Sequence, residues 1–180
     1  MSVMSELLTA GIYSVLFVVA MTLLELSMGR KWGTWKLRGV NSTGLLDIYT
    51  LSHVIHGCVF FYLYYHLLAC SIEVTLLMSM GTECLWEVFE NTPFVINRYR
   101  RTCSEDYKGD TILNSVSDVF AMVVGFVAAY YLPAHYILIS ILVFELTALW
   151  YVRDNLCLNI IMLIYPFPKI REWQMKRYHA

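Results

Sequence analysis

The stretch SIEVTLLMSMGTECLWEVFE, residues 71–90, is long and apolar enough to cross a bilayer, yet it closes on Glu83, Glu87 and Glu90. A spanning helix needs about 20 residues. A charged side chain at mid-membrane costs roughly 2.5–3.5 kcal/mol on insertion scales, so such residues usually pair, titrate or line a cavity. The neighbouring apolar stretches repeat the pattern. The one that follows opens on Asp110, Asn114 and Asp118, and the one before holds His53 and His56 near its start. All of these fall at the same end of their segments.

Composition sets the class. Of 180 residues, 58% are hydrophobic and 15% charged, with a mean hydropathy of +0.57. Soluble domains carry about 25% charged residues, so the chain reads as one integral membrane domain over residues 1–180. Five apolar segments are expected to span, at 7–28, 47–70, 71–90, 111–132 and 134–152, giving an all-α membrane bundle of about five helices. The first is not expected to be a cleaved signal, since it carries Glu6 and lacks a positive start and a small-x-small cleavage site. Tight turns at Ser71 and at Pro133-Ala134 would make two hairpins. Residues 156–167 are too short to span and end at Pro166 and Pro168, which fits a re-entrant or interfacial C-terminal segment. Cys58, Cys70, Cys84, Cys103 and Cys157 form no CxxC pair and read as small apolar fillers. A net charge of −1 without a basic run gives no sign of nucleic acid as a partner.

Orientation follows from the basic residues. Arg30, Lys31, Lys36 and Arg38 lie in one loop, Arg98, Arg100, Arg101 and Lys108 in another, and Arg153, Lys169, Arg171, Lys176 and Arg177 near the end. With five spans they share one side, which the positive-inside rule makes cytoplasmic. The N-terminus is then outside and the C-terminus inside. At about 1.5 Å per residue, the histidines, the glutamates, Asp118 and Glu145 of the fifth segment reach one level in the cytoplasmic half.

Spacing also selects faces. Glu83, Glu87 and Glu90 recur at i, i+4 and i+7, Asp110, Asn114 and Asp118 at i, i+4 and i+8, and His53 and His56 at i, i+3. These stripes must look inward, because lipid offers no partner. Gly57 and Gly125 would let neighbouring backbones approach closely. The expected result is a buried polar site facing the cytoplasm.

Imidazole with carboxylate suits zinc, manganese or iron, so His53, His56, Glu87, Glu90 and Asp118 are candidate ligands of a divalent metal. As catalytic groups the candidates are the same five with Asp110 and Asn114, acting as acids or bases if no metal binds. Arg98, Arg100 and Arg101, with Asn91 and Arg153, are candidates for holding an anionic or phosphate-bearing lipid headgroup, to which the guanidinium fork is suited. Other readings stand beside this one. The polar groups could be a structural hydrogen-bond network, the arginines a topology determinant, and Arg153-Asp154 an interfacial helix end. HxxH is common by chance, and the Glu-x-x-His pairs of di-iron bundles are absent. So are Walker A loops, G-x-S-x-G elbows and familiar lipid-enzyme signatures.

The strings LLDIYTLSHVIHG, WEVFENTPFVINRYR, YKGDTILNSVSDVFAMVVGF and RDNLCLNIIMLIYP, with REWQ, closely resemble a family of small bacterial inner-membrane proteins of unknown function. The resemblance covers about residues 40–175. It implies a bacterial-type inner membrane, or an organelle membrane derived from one, and no assigned activity. A fainter similarity reaches the VanZ-like membrane proteins, which also place His, Glu and an Asp/Asn pair in successive helices. Three functions remain open at this point: metal-assisted chemistry on a membrane lipid, a non-catalytic subunit held among other membrane subunits, and a proton-coupled carrier.

Overall fold

The computed structural model describes residues 3–38, 42–102 and 106–176, with side chains from Leu8 onward. The Glu6 side chain, Cys103 and Arg177 lie outside the described residues. Within it the chain is helical: α1 Val3–Ser27, α2 Thr50–Phe61, α3 Ile72–Glu90, α4 Pro93–Thr102, α5 Ile112–Tyr131, α6 Ala134–Val152, α7 Leu156–Ile164 and α8 Pro168–Met175. A π-helical turn, Tyr62–Leu67, extends α2.

Three helices are long and apolar enough to cross a membrane: Leu8–Ser27 in α1, α5 and α6. Helices α1 and α6 turn most of their apolar side chains outward, among them Ile12, Val15, Leu16 and Val19, and Leu138, Ile139, Leu142 and Val143. The other two expected spans differ for physical reasons. The α-helical part of α2 has only 12 residues before the π turn. Helix α3 has 19 residues but carries Glu73, Glu83, Glu87 and Glu90, so its apolar character is diluted where the site is built.

Both expected turns are present. Ser71 caps α3, its Oγ accepting from the Val74 amide at 3.4 Å, and Pro133 precedes α6. The 91–110 connection is a correction, because it is not simply a loop. Asn91 ends α3, but Pro93 begins a new helix, α4. Proline is disfavoured inside a helix and favoured at its first position, where the missing N–H costs nothing. Pro168 starts α8 in the same way.

The two glycines fix the central helix pair. A Cβ on Gly57 would fall on the Met122 carbonyl oxygen, and one on Gly125 on the Val54 carbonyl oxygen. Helices α2 and α5 therefore touch backbone to backbone. Cys58 Sγ donates to the Gly125 carbonyl at 3.4 Å, and Cys58 and Cys84 pack in a core with Met21, Phe61, Met80, Val119, Met122 and Phe126. Cys70 is half-buried and Cys157 exposed, both as free thiols. Helix α1 lies along α3, and Phe17 reaches Gly81.

Residues 30–38 and 42–49 close one end of the bundle. The Lys31 and Trp32 carbonyls accept from the Ile112 and Leu113 amides at 2.9 and 3.1 Å. Helix N-termini carry unsatisfied N–H groups, so Lys31 and Trp32 cap the first turn of α5.

Candidate functional site

Asp47 sets the start of α2 and hence the position of the histidines. Its Oδ1 accepts from the Tyr49 and Thr50 amides at 2.8 and 3.2 Å. One turn on, His53 enters the bundle. Its Nδ1 lies 2.5 Å from Glu83 Oε1 and 3.3 Å from Glu87 Oε1, and its Nε2 lies 3.8 Å from Asp118 Oδ2. His56 Nδ1 lies 3.0 Å from the other oxygen of Glu83. Thr50 donates its hydroxyl to Asp118 Oδ1 at 3.0 Å. The His56 ring is walled by Phe60 and Trp86.

Three helices thus deliver two imidazoles and three carboxylates to one point. His53, Glu83, Glu87 and Asp118 are 7%, 0%, 1% and 4% exposed, so their charges act through little solvent. Among the described residues, every ion pair within 4 Å joins one of these histidines to one of these acids. Among the described residues, no lysine or arginine pairs with them. Donor atoms of His53, His56 and Glu83 lie within 4.8 Å of one another, as do those of His53, Glu87 and Asp118. Either set could hold a metal ion.

A second polar node adjoins the first. Asn91 Nδ2 faces Glu25 Oε1 at 3.3 Å, Asp110 Oδ2 at 3.2 Å, Ser115 Oγ at 3.4 Å and the Glu87 carbonyl at 3.1 Å. Its Oδ1 accepts from the Asp110 amide at 2.7 Å, and Tyr107 donates its hydroxyl to Asp110 Oδ2 at 2.9 Å. Burial pushes Asp110 above the usual carboxylate range, against hydrogen bonds from Ser42 and Tyr107. Burial and the Asp110 charge likewise push the Tyr107 phenol up.

The remaining candidates are distributed as follows. Asn114 is 1% exposed, and neither atom of its amide has a hydrogen-bond partner. Glu90 is half-buried, outside both ligand sets, and faces the Tyr99 hydroxyl. Arg98 donates to the Leu163 and Ile164 carbonyls at 3.1 and 3.0 Å, capping α7, and Arg100 Nε donates to the Tyr107 carbonyl at 2.5 Å. Arg101 is exposed. Arg153 adopts a left-handed φ of 55° at the end of α6 and donates to the Trp173 carbonyl at 3.2 Å. Its neighbour Asp154 is 1% exposed and accepts from Asn155 N, Gln174 Nε2 and the Tyr49 hydroxyl.

Glu145 does not join the site. Its carboxylate accepts from the Leu156 and Cys157 amides at 2.9 and 3.2 Å and caps α7, the place where a carboxylate is favoured. Three residues absent from the ligand candidates are present instead. Glu83 bridges both histidines, Thr50 holds Asp118, and Glu25 of α1 enters the Asn91 node. Glu25 had a sequence signal, a lone carboxylate in MTLLELS. Thr50 had none, since its role depends on how α2 meets α5.

Comparison with known proteins agrees with the resemblance read from the motifs. A UPF0314 protein of Sinorhizobium fredii is 45% identical over 170 residues, covering 87% of this chain and 86% of its own. A UPF0314 protein of Brucella anthropi is 45% identical over 136 residues, covering 74% and 69%. One from Sphingopyxis alaskensis is 43% identical over 136 residues, covering 74% and 72%. No solved structure matches. These matches lend no support to the likeness to VanZ-like proteins. The chain belongs to the bacterial family described as "Protein of unknown function (DUF2585)", which it matches over residues 15–176.

Proposed function

We propose that this protein is a five-span protein of the bacterial inner membrane whose buried His/Glu/Asp centre binds a divalent metal ion and acts on an anionic or phosphate-bearing lipid at the cytoplasmic leaflet. The observation that carries this reading is the charge balance at His53. Three buried carboxylates meet two imidazoles, and among the described residues no lysine or arginine is paired to any of them. Uncompensated buried charge is expensive, and imidazole with carboxylate is a ligand set for a divalent cation. A metal ion would polarise a phosphoryl or carbonyl oxygen or activate water.

The position of the centre supports the lipid. It lies at the ends of α2, α3 and α5 that carry the arginine-bearing α4, whose buried face is Val95, Ile96, Tyr99 and Thr102 and whose exposed face includes Arg101. An amphipathic cationic helix at a bundle end suits the headgroup level of anionic lipid. In the five-span arrangement the apolar stretches of α2 with its π turn and of α3 complete the bundle, with the N-terminus outside.

Protein purified gently with its lipids should contain about one divalent metal ion per chain, and Asp118→Leu should abolish lipid turnover followed by mass spectrometry. Metal-free protein with unchanged lipids would reject the reading. pH-gradient-driven uptake into proteoliposomes would instead establish a carrier, and a fixed stoichiometric assembly on native gels a subunit. Reporter fusions should place residue 100 inside and the turn at Pro133 outside.

A further inference from the structure

Helices α3 and α5 face each other with matching polar stripes. On α3 these are Glu83 and Glu87, with Asn91 at its C-terminal cap, and on α5, running the opposite way, Asp118 and Asn114, with Asp110 two residues before its first turn. A four-residue step within either helix rises about 6 Å, and the order along the two stripes sets three rungs: Asn91 with Asp110, Glu87 with Asn114, and Glu83 with Asp118. The rung at the α4 end is closed by direct hydrogen bonds, Asn91 to the Asp110 amide and carboxylate. The far rung is bridged by His53, which sits 2.5 Å from Glu83 and 3.8 Å from Asp118.

The middle rung, Glu87 with Asn114, is different. Glu87 Oε1 and both amide atoms of Asn114 have no hydrogen-bond partner, although the two residues are each 1% exposed. Leaving a buried polar atom unsatisfied costs about 1–3 kcal/mol. Three such atoms, on the facing stripes of two helices, leave polar capacity that a bound group would satisfy.

The same comparison separates the two overlapping ligand sets. Glu83 already engages an imidazole with each oxygen, His53 at 2.5 Å and His56 at 3.0 Å. Glu87 Oε1 lies 3.3 Å from His53 Nδ1 without a hydrogen bond. Metal-bound histidines usually hold their second ring nitrogen on a carboxylate, and Glu83 is placed to orient His53 in that way.

We infer that, within the metal-dependent reading above on which this rests, the ion binds at the middle rung and Asn114 Oδ1 is its fourth protein ligand, beside His53, Glu87 and Asp118. Glu83 and His56 are then positioning residues. One nitrogen and three oxygens form a hard donor set that suits manganese(II), iron(II) or magnesium, and it lacks the thiolates and multiple imidazoles of typical zinc sites. The Asn114 amide N–H group is left to donate to a metal-bound water or to substrate oxygen.

The test uses full-length protein in detergent or nanodiscs with manganese(II) as the probe. Pulsed electron paramagnetic resonance of the wild type should show coupling to one imidazole nitrogen. Asn114→Leu should weaken manganese binding by at least 10–100-fold, the loss typical even of an outer-shell change. Asn114→Asp should retain binding, since a carboxylate oxygen replaces the amide oxygen, and His56→Ala, which acts on the ion only through Glu83 and His53, should weaken binding less than Asn114→Leu does. Two coupled imidazoles, or loss of binding in His56→Ala with retention in Asn114→Leu, would move the ion to the Glu83 set and overturn the inference while leaving a metal centre intact. If the wild type binds no manganese, iron, magnesium or zinc, the metal reading itself fails.

Discussion

Two buried carboxylate sites in this molecule solve the same problem in opposite ways. Asp154, at the junction of α6 and α7, is surrounded by neutral donors: its oxygens take the Asn155 amide at 3.0 Å, the Gln174 side chain at 3.0 Å and the Tyr49 hydroxyl at 3.3 Å. It ties α8 and the start of α2 to the end of α6. At His53, three carboxylates crowd two imidazoles, and Glu87 keeps an oxygen without a donor. The Asp154 carboxylate takes donors for both its oxygens from the protein alone. The His53 centre holds more acceptors than the protein supplies donors, which is expected of a site that binds a cation.

Metal removal should separate the two sites most sharply. A ligand present at 1,000 times its dissociation constant stabilises the folded state by about 4 kcal/mol. Chelation should therefore lower the thermal midpoint of the wild type and of Asp154→Asn, and leave His53→Ala unmoved. An equal shift in all three would show that the chelator acts elsewhere.

The Asp154 node should reveal itself through pH. Burial pushes this carboxyl up to about 6 from an ordinary 3.8, against donors from Asn155, Asn159, Tyr49 and Gln174. Between those values the folded protein binds a proton that the unfolded chain does not, so stability falls as pH rises from about 4 to 6. The full change is on the order of 3 kcal/mol. Asp154→Asn should flatten that slope without altering metal content. A slope unchanged in the variant would assign it to another group.

A smaller effect tests how the His53 centre is assembled. Gly125→Ala would push a methyl group into the Val54 carbonyl one residue after His53. Overpacking of this kind costs about 1–3 kcal/mol, and by separating α2 from α5 it should also weaken metal binding. Stability lost with metal affinity unchanged would mean that the centre tolerates a wider helix spacing.

The smallest expected change in stability comes from Arg101, which is exposed on α4. Arg101→Ala should stay within about 0.5 kcal/mol of wild type and slow turnover on vesicles rich in anionic lipid. Equal turnover on anionic and neutral vesicles would remove this arginine from the headgroup proposal.

Much of the site was legible because stripes at helical spacing survive any packing of the helices. Glu83, Glu87, Asp110, Asn114 and Asp118 had to face inward, and the two glycines marked the closest helix pair. Other roles depended on contacts distant in sequence. Glu145 read as a fourth contributor at the right depth, but depth does not fix rotation, and the side chain turns to cap α7. Arg98 and Arg100 read as candidates for holding a headgroup, and their guanidinium groups donate to carbonyls of α7 and of Tyr107. Residues 93–102, expected as part of a loop, form α4, which starts at Pro93 two residues after the Asn91 cap.

The sequence by itself determined that the chain is helical and rich in apolar segments, that its charged residues gather at one end of them, and which helix faces are polar. Those properties follow from composition and from the 3.6-residue period, which act within each segment. Only the tertiary structure decided that His53 stands between Glu83, Glu87 and Asp118, that Glu25 and Asn91 build a separate node, and that Asn114 remains without a partner. These facts depend on the rotation and height of one helix against another, set here by backbone contact at Gly57 and Gly125 and by loop caps more than 60 residues away in sequence.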